Sequence, residues 1–223
     1  MASPILIKAE DGHEIDCWFS EPSNKPKGGI IFLQAIYGLT PHLGNVCDWF
    51  ARDGFVAIAP ATYDRAEKGK VFGYDDRSAE EAMAFRQNLR KKTVILDVTA
   101  CSKHLRSKTQ HVAIAGFCTG GTWAWICASA LLFEAAIIFY GSDVQKHLEL
   151  RPRCPTMLHY GDIDHVVPIQ DVKKIRAAVP GSKFHLYSGA GHAFYNPEQK
   201  MYHRDAAVIA HQRSIEFLTL QFC

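Results

Sequence analysis

The sequence predicts an α/β fold: a mostly parallel central sheet with helices on both faces, entered through an N-terminal β-hairpin. Three observations predict it. Short runs of strand length recur at residues 28–34, 55–59, 111–115, 135–140, 156–160 and 183–187. Helical stretches separate most of them, and strands alternating with helices make a parallel sheet covered on both faces. Residues 28–34 and 55–59 are continuously apolar, as strands buried on both faces are.

The elements follow in order. Residues 4–9 and 13–19 are strand-like runs around Glu10-Asp11-Gly12, and Asp-Gly between extended runs signals a hairpin whose turn residues take positive φ. Residues 21–27 are polar and hold Pro22 and Pro26, so they form a surface loop. Residues 41–52 read as a helix with Thr40 at the N-cap and Pro41 first in the helix; Asp53-Gly54 ends it. The strand 55–59 is closed by Pro60, and 62–74 is an irregular polar loop over the top of the sheet. A long helical stretch spans about 78–104, with Lys92-Thr93 as the place for a break. The alternation then becomes regular: strand 111–115, helix 122–132, strand 135–140, strand 156–160, helix 169–178 led in by Pro168, strand 183–187, and a last helix over about 197–220. No repeat, low-complexity tract or linker interrupts the chain, so residues 1–223 are expected to form one domain.

Composition bounds the function. A chain of 223 residues with 48% hydrophobic content has ample core, and its formal charge of +2 is spread along the sequence. Neither nucleic acid nor a membrane surface is implied as a partner. The basic cluster at 86–92 is interleaved with Leu89 and reads as a solvated helix face. Seven cysteines stand at 17, 47, 101, 118, 127, 154 and 223 with no C-x-x-C pair, and the N-terminus is not signal-like. Disulfides are therefore not expected, and a reducing cytoplasm is the natural setting. No apolar run reaches membrane-spanning length. The expectation is a soluble protein, monomer or weak homodimer, acting on a small molecule without a cofactor.

The chemistry centres on Gly116-Phe117-Cys118-Thr119-Gly120-Gly121. A buried strand precedes it and a helical run follows. Strand, Gly-x-Cys-x-Gly, helix is the nucleophile-elbow pattern with cysteine in place of serine. Glycines are needed because the central residue sits on a strained turn whose flanks crowd the neighbouring backbone. The thiol is then held at a helix N-terminus, where unpaired N–H groups favour an anion. The same residues would also suit a plain strand–helix turn with a buried, inert cysteine.

Ligands of an open parallel sheet sit at the carboxyl ends of its strands. There the sequence offers Gln34-Ala35-Ile36-Tyr37-Gly38, Cys118, Tyr140-Gly141, the segment from His159 to His165, and His192. A thiol needs a base, and the base needs a carboxylate to hold its ring. His192 follows a strand through Gly189-Ala190-Gly191 and is placed for that role; Asp162 and Asp164 are both candidate acids. His159, Asp162, Asp164 and His165 are also capable metal ligands, although no spaced ligand motif accompanies them. Two other readings therefore stand beside a thiol hydrolase: a metal-assisted phosphoesterase using this segment, and a non-catalytic ligand-binding protein on a hydrolase scaffold.

Taken together, these loops resemble the dienelactone hydrolase (carboxymethylenebutenolidase) family of the α/β-hydrolase superfamily. The resemblance covers nearly the whole chain. It is carried by Gln34-Ala35-Ile36-Tyr37-Gly38, Ala59-Pro60, the elbow G-F-C-T-G-G, Phe139-Tyr140-Gly141, H-Y-G-D-I-D-H-V-V-P from His159, and Gly189-Ala190-Gly191-His192-Ala193-Phe194. It implies an α/β-hydrolase fold, hydrolysis of esters or lactones through a covalent thiol intermediate, no metal, and a Cys118–His192–Asp164 triad, which selects Asp164 over Asp162. It also implies an oxyanion hole from the backbone N–H groups of Ile36 and Thr119.

Two departures bear on substrate. Dienelactone-cleaving members carry Glu where this chain has Ala35, and that carboxylate helps control ionisation of the thiol. They carry Arg where this chain has Asn196, and a second Arg that corresponds to Arg77 or Arg86; these arginines receive a substrate carboxylate. Losing a bidentate Arg removes a charge-assisted clamp. The expected substrates are accordingly neutral activated esters, lactones or phosphotriesters, with the thiolate already populated in the free protein. Pocket lining is expected from Ala35, Tyr37, Arg77, Arg86, Trp123, Tyr140, Phe194 and Asn196, with Phe72 and Tyr74 nearby.

Overall fold

The strands are β1 (Ser3–Lys8), β2 (Glu14–Ser20), β3 (Gly28–Leu33), β4 (Phe55–Pro60), β5 (Val112–Phe117), β6 (Ala135–Phe139), β7 (Thr156–Gly161) and β8 (Lys183–Tyr187). They form one eight-stranded sheet in the order β1-β2-β4-β3-β5-β6-β7-β8. The structure, a computed structural model, describes residues 1–223. Its chain divides into two compact units, Met1–Ile114 and Ala115–Cys223.

In the first unit β1 and β2 pair antiparallel, from Ser3 opposite Phe19 to Lys8 opposite Glu14. The hairpin turn uses positive φ only at Gly12, at 87°, while the Asp11 carboxylate accepts the His13 N–H at 3.3 Å. β2 then pairs antiparallel with β4, and β3 runs parallel to β4. Every residue of β3 and β4 is buried, which is why both read as unbroken apolar runs. The helix α1 (Pro41–Arg52) packs Phe50 edge-on against Phe32 of β3, with centroids 4.7 Å apart. Thr40 holds the extended N-cap backbone as expected, but its side chain makes no capping bond.

The long helical stretch is two helices, α2 (Asp76–Phe85) and α3 (Lys91–Arg106). They separate at 86–90 rather than at Lys92-Thr93. Asn88 donates its side-chain amide to the Phe85 carbonyl at 3.0 Å, and Leu89 and Arg90 take extended backbone angles. Such a local side-chain bond competes with continued helix. Asp75 caps α2 by accepting the Ser78 N–H at 3.0 Å.

In the second unit β6, β7 and β8 run parallel in register, with Phe139 opposite His159 and His159 opposite His185. The helix α4 (Thr119–Ala130) begins three residues earlier than the sequence suggested, so the elbow glycines 120 and 121 lie in its first turn. Its Trp125 is fully buried and donates to the His147 carbonyl at 3.0 Å. α5 (Ile169–Ala178) has its expected bounds, with Pro168 at the N-cap. The last helix, α6 (Arg204–Gln221), starts later than expected because Asn196 organises a turn before it. The Asn196 side-chain oxygen accepts the Glu198 N–H at 2.9 Å and its backbone carbonyl accepts the Gln199 N–H at 3.0 Å. His203 caps α6, Nδ1 accepting the Ala206 N–H at 3.2 Å. No helix of the chain is long and apolar enough to cross a membrane.

Candidate active site

The site is built in the second unit, at the carboxyl ends of β5, β7 and β8. Cys118 ends β5 and takes φ 54°, ψ −119°, a conformation sparsely allowed for a residue with a side chain. Its carbonyl accepts N–H bonds from Thr122 and Ser142, both at 3.2 Å, and its own N–H donates to Phe139 at 3.0 Å. Three backbone hydrogen bonds thus fix the strained turn. The glycines around it are required by space. A Cβ on Gly116 would overlap the Gly120 carbonyl, and one on Gly121 would sit 2.9 Å from the Gly141 Cα and 3.0 Å from the Phe139 oxygen. The other two non-glycine residues with positive φ are Tyr140, at the end of β6, and Ala193, beside His192. These three residues lie beyond the carboxyl ends of β5, β6 and β8, where a site held by its surroundings can carry strained backbone.

Asp164 lies buried in the loop after β7. One carboxylate oxygen accepts the N–H groups of Val166 at 2.8 Å and Val167 at 3.0 Å, while the other meets Nδ1 of His192 at 2.8 Å. The carboxylate accepts throughout, so Nδ1 carries a proton and Nε2 is the nitrogen left to exchange one. Nε2 is buried and makes no hydrogen bond of ordinary geometry. Its coupling to Cys118 is therefore through charge, and apo sites commonly tighten such contacts only with substrate bound. Asp162, the other candidate acid, points elsewhere: its side chain accepts the Gly189 N–H at 2.8 Å and ties the β7 and β8 loops together.

Electrostatics couple the thiol and the imidazole, each favouring the charged form of the other. Burial pushes the Cys118 thiol up, but the charge of His192 and the N–H and hydroxyl of Thr119 outweigh it and hold it below the ordinary thiol value. Burial would push His192 down. The thiolate charge and the Asp164 hydrogen bond outweigh this, and His192 is pushed up to about 10. The two shifts are one effect seen from its two ends, since each group's charge favours the other's. The Tyr140 ring stands edge-on to His192 at 5.0 Å, and the exposed His165 ring lies 6.5 Å from it.

The remaining expected site residues fall out unevenly. Phe194 is fully buried between Tyr140 at 5.3 Å and Tyr187 at 5.1 Å, and so serves as packing behind His192. Asn196 is buried with its side-chain oxygen committed to Glu198. Trp123 is half-buried on α4. In the first unit, the Arg77 side chain is 88% exposed and paired with Glu81 at 3.1 Å on the surface of α2. Arg86 is half-buried in the short turn after α2. Ala35 and Tyr37 are half-buried and Ile36 is buried in the loop after β3. That loop is held by the Tyr63 hydroxyl, which donates to the Ile36 carbonyl at 2.9 Å, and by Phe72, whose N–H donates to Tyr37 at 2.9 Å. The Tyr37 and Tyr74 rings meet edge-on at 4.7 Å.

The segment from His159 to His165 is not gathered as a ligand set. No group of three or more His, Cys, Asp or Glu side chains is placed to share a metal ion. His159 is fully buried, with Nδ1 at 2.8 Å from the Tyr187 hydroxyl and Nε2 at 3.2 Å from Ser214. The Ser214 hydroxyl is donated to the Ala210 carbonyl at 2.7 Å, so Nε2 of His159 donates and Nδ1 accepts. This histidine is neutral, its pKa held well below the ordinary value by burial.

Sequence reasoning missed the groups that hold the site. The N–H pair of Val166 and Val167, which holds Asp164, carries no signature of its own. Only the run V-V-P after Asp164 pointed to a tight turn.

Comparison with known proteins bears on the family and the fold. The model of the dienelactone hydrolase family matches residues 15–222. A carboxymethylenebutenolidase of Pseudomonas putida is 28% identical over 223 residues, covering 96% of this chain and 94% of its own length. Among solved structures, a candidate dienelactone hydrolase from Klebsiella pneumoniae superposes with TM-score 0.84 at 23% identity, covering 98% of both chains. A dienelactone hydrolase-like promiscuous phosphotriesterase from metagenomic libraries superposes with TM-score 0.77 at 17% identity, covering 99% of this chain and 98% of its own.

Proposed function

We propose, on the premise that this chain belongs to the dienelactone hydrolase family of α/β-hydrolases, that its ester- and lactone-hydrolysing activity runs through Cys118, His192 and Asp164. The observation that carries this reading is the chain of contacts behind the thiol. Two backbone N–H groups hold Asp164, Asp164 holds Nδ1 of His192, and the protonated ring lowers the pKa of a thiol raised on a strained elbow.

In this mechanism the Cys118 thiolate attacks the carbonyl carbon and the carbonyl electron pair moves onto oxygen. The N–H of Thr119 receives the oxyanion. Collapse breaks the carbon–oxygen bond, and Nε2 of His192 gives its proton to the departing alkoxide, leaving a thioester on Cys118. Neutral His192 then takes a proton from water as that water adds to the thioester. The second tetrahedral species expels the sulfur as thiolate and releases the acid, restoring the ion pair. Asp164 stabilises the imidazolium in the resting and intermediate states and is never itself protonated.

The preferred substrates are neutral: activated esters, lactones and phosphotriesters rather than lactones bearing a carboxylate. Position 35 is alanine, Asn196 is committed to its own turn, and Arg77 is paired with Glu81 on an exposed helix. A bidentate cationic clamp is thus not supplied by these positions. We further propose that residues 1–223 work as one domain, metal-independent, cytoplasmic, and monomeric or weakly dimeric. Seven cysteines without a pairing pattern suit a reducing compartment.

A matched panel tests the reading: p-nitrophenyl esters, lactones with and without a carboxylate, and a neutral phosphotriester, each with wild type and Cys118→Ala. The expected result is turnover of the neutral compounds that is lost in Cys118→Ala and unaffected by EDTA. Undiminished turnover by Cys118→Ala contradicts the nucleophile assignment, and preference for the carboxylate-bearing lactone contradicts the substrate class.

A further inference from the structure

One residue before the site, the sheet carries a stack of rings. Phe117, Phe139, His159 and His185 lie on β5, β6, β7 and β8, and their rings stack in that order at 4.8, 4.8 and 5.4 Å. Phe117 immediately precedes Cys118, and Phe139 precedes Tyr140, whose ring stands 5.0 Å from His192. Tyr195 comes shortly after His192 and lays its ring on this stack, 5.5 Å from Phe117 at 26° and 4.8 Å from Phe139 at 47°. Tyr195 is 2% exposed, and its hydroxyl meets Nδ1 of His211, on α6, at 2.6 Å. Resting on the triad reading above, we propose that Tyr195 is a positioning residue that fixes the separation of His192 from Cys118 by tying the histidine loop to the nucleophile's own strand and to α6.

His192 and Cys118 come from different loops, so their separation is only as fixed as the contacts that join those loops. The segment after the histidine is costly to hold. Ala193 takes φ 61°, a left-handed backbone that a side chain disfavours and that persists only when its surroundings impose it. Two backbone bonds close the turn: the Asn196 N–H donates to the Ala193 carbonyl at 2.9 Å, and the His203 N–H to the Phe194 carbonyl at 3.0 Å. They join the loop to itself and to the residue that caps α6, and neither reaches β5. The Tyr195 ring on Phe117 does. Paired rings attract beyond the area they bury, and the hydroxyl bond to His211 anchors the far end of the ring against sliding. That bond survives either state of His211, because Nδ1 accepts the phenol proton when it carries none and donates to the phenol oxygen when it carries one.

Tyr195→Leu removes both ring and hydroxyl, whereas Tyr195→Phe and His211→Ala each remove the hydroxyl–imidazole bond and keep the ring. For each variant, kcat/KM for p-nitrophenyl acetate and the rate of Cys118 alkylation by iodoacetamide are measured per folded protein, beside thermal melts. Tyr195→Leu should lower kcat/KM by about 30- to 100-fold, because a displacement on the order of 1 Å between reacting groups costs about 10²-fold. It should also slow alkylation by about tenfold, as the imidazolium that favours the thiolate loses its place. Tyr195→Phe keeps the stack and should lose only about three- to tenfold. His211→Ala should match it, and the double variant should lose no more than either single change. Wild-type kcat/KM and alkylation in folded Tyr195→Leu overturn the proposal, as does a lowered melting temperature with both rates unchanged. If the leucine variant does not fold, wild-type rates in both Tyr195→Phe and His211→Ala overturn it. Alkylation of Cys118 in the wild-type protein no faster than that of glutathione at the same pH overturns instead the triad reading beneath it.

Discussion

Replacing Asp164 by asparagine is the perturbation whose outcome follows most directly from the hydrogen bonds at the site. Three donors face this carboxylate: Nδ1–H of His192 at 2.8 Å and the N–H groups of Val166 and Val167 at 2.8 and 3.0 Å. Asparagine offers one acceptor oxygen and one donor amide. Its oxygen keeps the two backbone donors, whose positions are fixed by the chain, and its NH2 then faces the histidine. Nδ1 must become the acceptor, the proton moves to Nε2, and the neutral ring can no longer take a proton there. The lost charge-assisted bond is worth about 1.5–3 kcal/mol, or about one to two powers of ten in rate. The wrong tautomer extends the loss toward about 10⁴-fold. We expect kcat/KM for p-nitrophenyl acetate to fall by about 10²- to 10⁴-fold while the melting temperature changes little, since every backbone donor keeps a partner. The alkaline limb of the pH–rate profile should also move down, because the Asp164 hydrogen bond is one cause of the raised His192 value. Activity within about threefold of wild type, with an unmoved alkaline limb, would refute the reasoning.

The remaining predictions follow from the same geometry. Asp162→Asn should keep near-wild-type kinetics, because asparagine can still accept the Gly189 N–H; a loss matching Asp164→Asn in steady-state assays would reverse the choice of acid. Gly121→Ala should destabilise the fold by about 3 kcal/mol or more in denaturant melts, since the new methyl meets backbone on two sides at 2.9 and 3.0 Å; a variant as stable as wild type would show that the elbow relaxes. His192, ordinarily titrating at 6.5 and here pushed up to about 10, contributes stability that is full below about 6.5 and lost as pH rises through about 10. In Cys118→Ala the thiolate that raises it is absent, so melting curves against pH should show this loss at lower pH; coincident curves would deny the ion pair.

How much of this was legible in the sequence depends on what each residue's role requires. Positions fixed by backbone crowding were readable: Gly116 and Gly121 mark the elbow because nothing larger fits. The unbroken apolar runs of β3 and β4 revealed burial on both faces. The order of Cys118, Asp164 and His192 was readable because each follows a strand end. Boundaries set by single side-chain bonds were not. The break at 86–90 depends on Asn88 reaching the Phe85 carbonyl, and the late start of α6 on Asn196 taking the Glu198 N–H. Residue type alone left the acid open between Asp162 and Asp164. The distinction lies in which backbone donors each carboxylate meets, a property of loop shape that no pattern of residues displays. Phe194 and Asn196, named as pocket residues from the sequence, are both buried beyond the turn at Ala193.

The central claim is that Cys118 forms a covalent acyl intermediate, and rapid quenching tests it most directly. The protein is mixed with excess p-nitrophenyl ester, stopped within the first turnover, and its peptides are mass-mapped beside a parallel record of p-nitrophenol release. The account predicts a burst equal to the active-chain concentration, with the acyl group on the peptide holding Cys118, and neither burst nor adduct in Cys118→Ala. An adduct on another residue, or a full burst from Cys118→Ala, would contradict it.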